Sequence, residues 1–155
     1  VTELAHMRTG AVVQLTGGIE AAREYGCVSL YIPRMPFGGE VPIAMGVNFI
    51  DGLAVDIDSS TLSPLDNVGR CVDLDKLNGA VLRFRRDGDM FTPYGGGNKK
   101  LKQYLIDNKV PKRLRDRIPL ICRGNEVLVI VGVQISDTVK QTDKTVNKGT
   151  VSPRW

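Results

Sequence analysis

VLRFRRDGDMFTPYGGGNKKLK, Val81–Lys102, decides how this chain folds. Its first six residues read as a strand. Alternation places Val81, Arg83 and Arg85 on one face and Leu82, Phe84 and Arg86 on the other. Asp87-Gly88-Asp89 is turn chemistry, and Pro93 argues against a central strand over Met90–Tyr94. After the triple glycine Gly95–Gly97, Asn98 is a good N-cap for a helix over Lys99–Asp107. In that helix Leu101, Tyr104 and Leu105 share one face, with Lys99, Lys100 and Gln103 opposite. Pro111 suits the first turn of a second short helix over Lys112–Arg117.

Toward the C-terminus, Leu120–Cys122 reads as a strand and Arg123–Glu126 as a hairpin turn. Val127–Val133 is a continuous apolar run, the pattern of a central strand covered on both faces. Beyond Ile135 the chain turns polar, and residues 137–155 read as a loose tail. Toward the N-terminus, Val1–Arg8 reads as a helix end. Ala11–Leu15, Ile19–Tyr25 and Cys27–Ile32 read as strands, with a hairpin turn at Gly17-Gly18. Further strand pieces lie at Val41–Ile43, Gly46–Ile50, Leu53–Ile57 and Arg70–Leu74. Ser59–Gly69 is a loop or a short helix, and Asp75–Gly79 a turn or one helical turn. The fold class is therefore α+β: an antiparallel β meander with a short basic helix pair in the C-terminal half.

The 155 residues suffice for a real core, with 42% hydrophobic and 25% charged residues. No apolar run approaches the roughly 18 residues needed to span a membrane. Val1 opens the chain without an initiator Met or signal peptide, the expectation for a piece of a longer protein. Cys27, Cys71 and Cys122 are odd in number and far apart, so they read as three reduced, buried thiols in a cytoplasmic protein. The net charge of +4 is unevenly spread. Residues 1–80 hold five Lys/Arg against ten Asp/Glu, whereas residues 81–123 hold twelve against four. One basic block of that size points to a polyanionic partner.

Catalytic patterns are missing. His6 stands alone, Asp56 and Asp58 are alternate residues on a strand, and no residues pair at metal-ligand spacing. Gly95–Lys100 lacks the Gly-Lys-Ser/Thr of a phosphate-binding P-loop. Thr16–Ala21 lacks the serines and aspartate of an ATP-pyrophosphatase loop. The basic block remains: Arg83, Arg85, Arg86, Lys99, Lys100, Lys102, Lys112, Arg113, Arg115 and Arg117, all candidates for nucleic-acid phosphates. Helix N-termini would add to the attraction. Arg83 or Arg85 can instead pair with Asp87, Asp89 or Asp116 and hold the fold, and the alternative for the whole block is a solvated face on a structural domain. A small nucleotide-binding enzyme using Gly95–Lys100 is a further rival.

One ordered pattern goes further. Arg83-x-Arg85-x-x-Gly88-Asp89 is followed by Pro93, Gly95 and Lys99-Lys100-Leu101-Lys102. Next come Asp107, Lys109, Val110-Pro111, Arg115-Asp116-Arg117, Pro119-Leu120, Val131-Gly132 and Ile135-Ser136. This run resembles the C-terminal domain of bacterial tRNA(Ile)-lysidine synthetases. Arg8-Thr9-Gly10, Leu15-x-Gly17-Gly18-Ile19 and Arg23-Glu24-Tyr25 look like the junction entering that domain, while residues 33–70 resemble it least. The triple glycine departs from the family's Gly-Met or Gly-x. The resemblance implies a junction over 1–25 and a tRNA-binding domain over 26–136, with its motif block at 81–136. It implies a module without catalytic residues, whose parent uses ATP, with Mg, in a separate domain to join lysine to the wobble cytidine of isoleucine tRNA. The implied partner is that tRNA, on its acceptor-stem side, with neither DNA nor membrane involved and with a homodimer possible.

Overall fold

The computed structural model describes residues 2–35, 37–59 and 71–154. In chain order the strands and helices are β1 (Val12–Gln14), β2 (Glu20–Arg23), β3 (Val28–Tyr31), β4 (Glu40–Pro42), β5 (Gly46–Ile50), β6 (Leu53–Asp58), β7 (Cys71–Asp73), β8 (Val81–Arg83), β9 (Met90–Phe91), β10 (Lys99–Lys100), α1 (Leu101–Asp107), α2 (Lys112–Arg115), β11 (Leu120–Arg123), β12 (Glu126–Ile130), β13 (Gln134–Ile135) and β14 (Lys148–Pro153). They form three sheets. β1-β2-β3 is a small antiparallel sheet; β5-β6-β14-β7 is a second; a larger one runs β10-β9-β12-β11-β8-β4, with β13 added to β12. All described pairings are antiparallel except β9 with β12. The molecule is β-rich with few helices.

Local sequence explains the hairpins. β5 and β6 are joined by Asp51-Gly52, both at positive φ (46° and 79°), the type I′ geometry that suits a twisted two-residue hairpin. β11 and β12 are joined by Gly124-Asn125, with Gly124 at φ 59° in the first central position, as type II′ requires. The large sheet is buried on both faces. Leu82, Ile121, Leu128 and Val129 pack with Val55, Ile57, Val72 and Val151 of the second sheet. On the other face Phe91, Leu120, Val127 and Ile130 pack under Leu101 and Leu105 of α1, with the Phe91 and Tyr104 rings 4.6 Å apart. The apolar run Val127–Val133 thus supplies the expected central strand, but only to Ile130; Val131–Val133 turn the chain into β13.

Several expectations are corrected. The segment read as a loose tail contains β14, which lies between β6 and β7 with Gly149 and Val151 buried. The simple meander fails for the same reason: the second sheet is closed by a strand some 90 residues away from β6 in sequence. The helix expected from Lys99 starts at Leu101, because Lys99-Lys100 pair with β9 instead. Asn98 therefore caps nothing, and the Leu101 N–H already donates to the Asp89 carbonyl at 2.9 Å. Only α2 is a basic helix, since α1 carries Lys102 and Asp107 in seven residues. Of the three cysteines only Cys122 is buried; Cys27 and Cys71 are exposed thiols. The undecided Ser59–Gly69 lies, except for Ser59, outside the described residues.

Candidate nucleic-acid interface

The expected phosphate ligands separate into four groups. Arg83 is 2% exposed. Its two terminal nitrogens donate to Asp89 Oδ1 and Oδ2 at 2.7 and 2.9 Å, and also to the carbonyls of Phe84 and Gly124. Both terminal nitrogens are occupied and the side chain is buried, so Arg83 acts as an internal strut and does not face solvent as a phosphate ligand would. Arg85 Nε and Nη2 hold Asp116 Oδ1 at 2.7 and 2.6 Å, and Arg86 reaches Glu40 at 3.3 Å. Lys99 binds Asp107 at 2.8 Å, and that carboxyl is held below the usual range by Lys99 and then by Gln103. Lys100 and Lys102 are exposed and make no described side-chain contact.

The last group converges. Lys112, Arg113, Arg115 and Arg117, on and just after α2, form one wall of a cleft of about 780 Å³. The opposite wall comes from the small sheet and its flanks: Arg8, Arg23, Arg34, Tyr25 and Tyr31. The walls are joined by a half-buried ion pair. Glu24, 6% exposed, accepts from Arg113 Nε at 2.6 Å and from Ser29 Oγ at 2.6 Å. Arg113 also lies over the Tyr31 ring, 5.5 Å from its centroid, and the Tyr31 hydroxyl donates to Glu20 at 2.9 Å. Burial first, then this carboxylate, pushes the Tyr31 phenol up, so it stays a donor. Arg115 Nε donates to the Val110 carbonyl at 2.9 Å while Nη2 reaches the Tyr25 hydroxyl at 3.3 Å.

The charge balance of the cleft follows from these contacts. Glu20, Glu24 and Asp116 are each engaged by a named donor. Arg8, Arg34, Lys112 and Arg117 line the space without an ion pair or side-chain hydrogen bond among the described residues. With seven Lys/Arg against three carboxylates in its lining, the cleft is a concave surface of net positive charge, a setting that concentrates anions. A second hollow of about 230 Å³ shares Arg34, Asp116 and Arg117 with it and extends the track toward Phe84. Among the described residues no three His, Cys, Asp or Glu side chains converge to hold a metal ion, and the acids of the cleft are already committed to arginine, serine and tyrosine donors.

Comparison with known proteins agrees with the basic motif. Residues 80–149 match the family described as the TilS substrate C-terminal domain. A solved structure, a crystal structure of a TilS C-terminal domain, superposes with a TM-score of 0.51 at 26% identity, covering 72% of this chain and 88% of that one. The chain belongs to the C-terminal domain family of the tRNA(Ile)-lysidine synthetases. Similar relatives are the tRNA(Ile)-lysidine synthases of Clostridium tetani, 37% identical over 153 residues, and of Caldanaerobacter subterraneus, 39% identical over 112. The alignments cover 90% and 66% of this chain but 33% and 24% of those proteins. The chain thus spans about a third or less of the relatives it matches. The α2 wall of the cleft lies inside the family match at 80–149, and the wall formed by residues 8–34 lies outside it.

Arg8, Arg23, Arg34 and the two tyrosines were not among the residues expected to bind. They sit in the half of the chain with net negative charge, which drew attention away from them. The available signal was the junction pattern, which already contained Arg8, Arg23 and Tyr25.

Proposed function

We propose that this chain is a tRNA-binding module of a lysidine synthetase, holding the sugar–phosphate backbone of isoleucine tRNA on its acceptor-stem side. The observation that carries this reading is that Arg8, Arg34, Lys112 and Arg117 line one cleft without an ion pair or side-chain hydrogen bond among the described residues. Cations and planar guanidinium forks grip phosphate oxygens without reading sequence, which positions an RNA for chemistry elsewhere. In the proposed parent enzyme, ATP and magnesium act in a separate domain that joins lysine to the wobble cytidine. No step of that reaction is assigned to residues of this chain. Lys100 and Lys102 extend the proposed basic surface beyond the cleft.

The test is a titration of isoleucine tRNA against the chain at several salt concentrations. Binding through phosphates gives a log K that falls linearly with log salt, by about 0.7–0.9 per phosphate neutralised. A weak, salt-independent isotherm would favour the structural alternative. The paired Arg83, Arg85 and Arg86 already suit that alternative as far as their own roles go.

A further inference from the structure

We infer that the cleft between β2–β3 and α2 takes an unpaired stretch of RNA, with Tyr25 as its stacking surface, and not the flank of a duplex. The inference rests on the tRNA-binding reading above and makes it narrower. Shape is the first argument. A double-stranded stem is a stiff convex cylinder that proteins meet along broad surfaces, mainly across its shallow minor groove. A concave space of about 780 Å³, lined by residues from the 8–34 and 106–117 segments, fits a bent strand better than such a cylinder. It is of the size that engulfs small ligands. An unpaired strand bends, and its bases swing away from the backbone, so it can enter.

The second argument is chemical. Single-strand sites combine cations that follow the backbone with aromatic faces that receive bases. The cleft has both. Tyr25 is 37% exposed, and its hydroxyl is held by Arg115, itself anchored on the Val110 carbonyl. This contact orients the ring before a ligand arrives, which lowers the cost of ordering it. Tyr31 plays a different part: Arg113 lies over its ring and Glu20 takes its hydroxyl, so it belongs to the wall.

The third argument is continuity. The main cleft and the smaller hollow share Arg34, Arg117 and Asp116, so two cations sit where the spaces meet, while the rest of the hollow's lining adds Asp51 and, among the described residues, no further Lys or Arg. A cleft with cations from both the residue 8–34 segment and the α2 segment suits a polymer backbone better than a single nucleotide. Transfer RNA offers unpaired stretches in its loops and at its 3′ end.

Fluorescence anisotropy with three probes decides the matter: an unstructured single-stranded RNA, a stem closed by a short tetraloop, and full-length isoleucine tRNA. Each is titrated against the wild-type chain, Tyr25→Ala, Tyr25→Phe and Arg34→Glu. Tyr25→Ala is expected to weaken the single strand and the tRNA by about 5- to 100-fold, the scale of losing one base stack, and to leave the stem unchanged. Tyr25→Phe keeps the stacking face and should retain most of the affinity. Arg34→Glu should weaken the single strand with a reduced salt slope, which tests the cleft independently of Tyr25. If the stem binds as tightly as the single strand, or if neither Tyr25→Ala nor Arg34→Glu affects the single strand, the slot is wrong even where tRNA binds with a steep salt slope. If none of the three RNAs binds, both the slot and the tRNA reading fail.

Discussion

Arg83 carries a charge into the core and finds a complete set of acceptors there. Its fork meets both oxygens of Asp89, while Phe84 and Gly124 supply carbonyls. The hydrogen bonds it donates to Asp89 raise the guanidinium's already high pKa against the effect of burial. Removing one partner of a buried pair leaves the other charged and dry. Arg83→Met should therefore cost about 3–5 kcal/mol in chemical denaturation, with the tRNA affinity of the folded fraction unchanged. Unchanged stability together with a loss of tRNA affinity would return Arg83 to the phosphate set. Cysteine reactivity gives a second check. Burial pushes the Cys122 thiol up to about 12, so almost no thiolate exists at pH 8, whereas Cys27 and Cys71 are exposed. Native-state alkylation followed by mass spectrometry should label Cys27 and Cys71 and spare Cys122 until the protein is unfolded. Labelling of Cys122 in the native protein would contradict its packing. At this scale sequence patterns could name the arginines but not sort them. Whether an arginine meets phosphate or carboxylate depends on how the fold places the candidate acids, Asp89 after a tight turn and Asp116 after α2, which the sequence names as partners without deciding between them.

Elements were legible where the signal was local. Asp51-Gly52 and Gly124-Asn125 specify their hairpins through two residues each, and the apolar run at Val127 marks the central strand. β14 was not legible, because KGTVSP has neither an apolar run nor aromatic residues. Its place depends on β6 and β7, which flank it from distant parts of the sequence. Gly149 shows how closely it is packed. A Cβ there would meet the Asp58 carbonyl oxygen at 2.5 Å and a Leu74 methyl at 2.7 Å. The leucine can turn aside, but the carbonyl belongs to the paired backbone of β6. Gly149→Ala should destabilise the chain by about 1–3 kcal/mol, read as a lower urea midpoint at unchanged m-value. An unchanged midpoint, with proteolysis that clips the native chain after residue 137, would restore the loose tail.

At the scale of the whole molecule, the fold turns an uneven charge distribution into a site. The acidic N-terminal half supplies Arg8 and Arg34, and its own Glu24 fastens the small sheet to Arg113. Half of the candidate site was visible in advance, since Lys112, Arg113, Arg115 and Arg117 lie in the basic block. The other half was not, because a charge count along the sequence cannot show which acids are neutralised by partners in space. The central claim is that the cleft, more than the basic face at large, holds tRNA. The most direct measurement compares Arg34→Glu/Arg117→Glu with Lys100→Glu/Lys102→Glu in a salt series of isoleucine tRNA binding. Both variants remove the same charge, but only the first lies in the cleft. The expected result is a large loss of affinity for the cleft variant, with its salt slope smaller by about 2, and a minor change for the other. Equal losses, or a larger loss on changing Lys100 and Lys102, would contradict the claim.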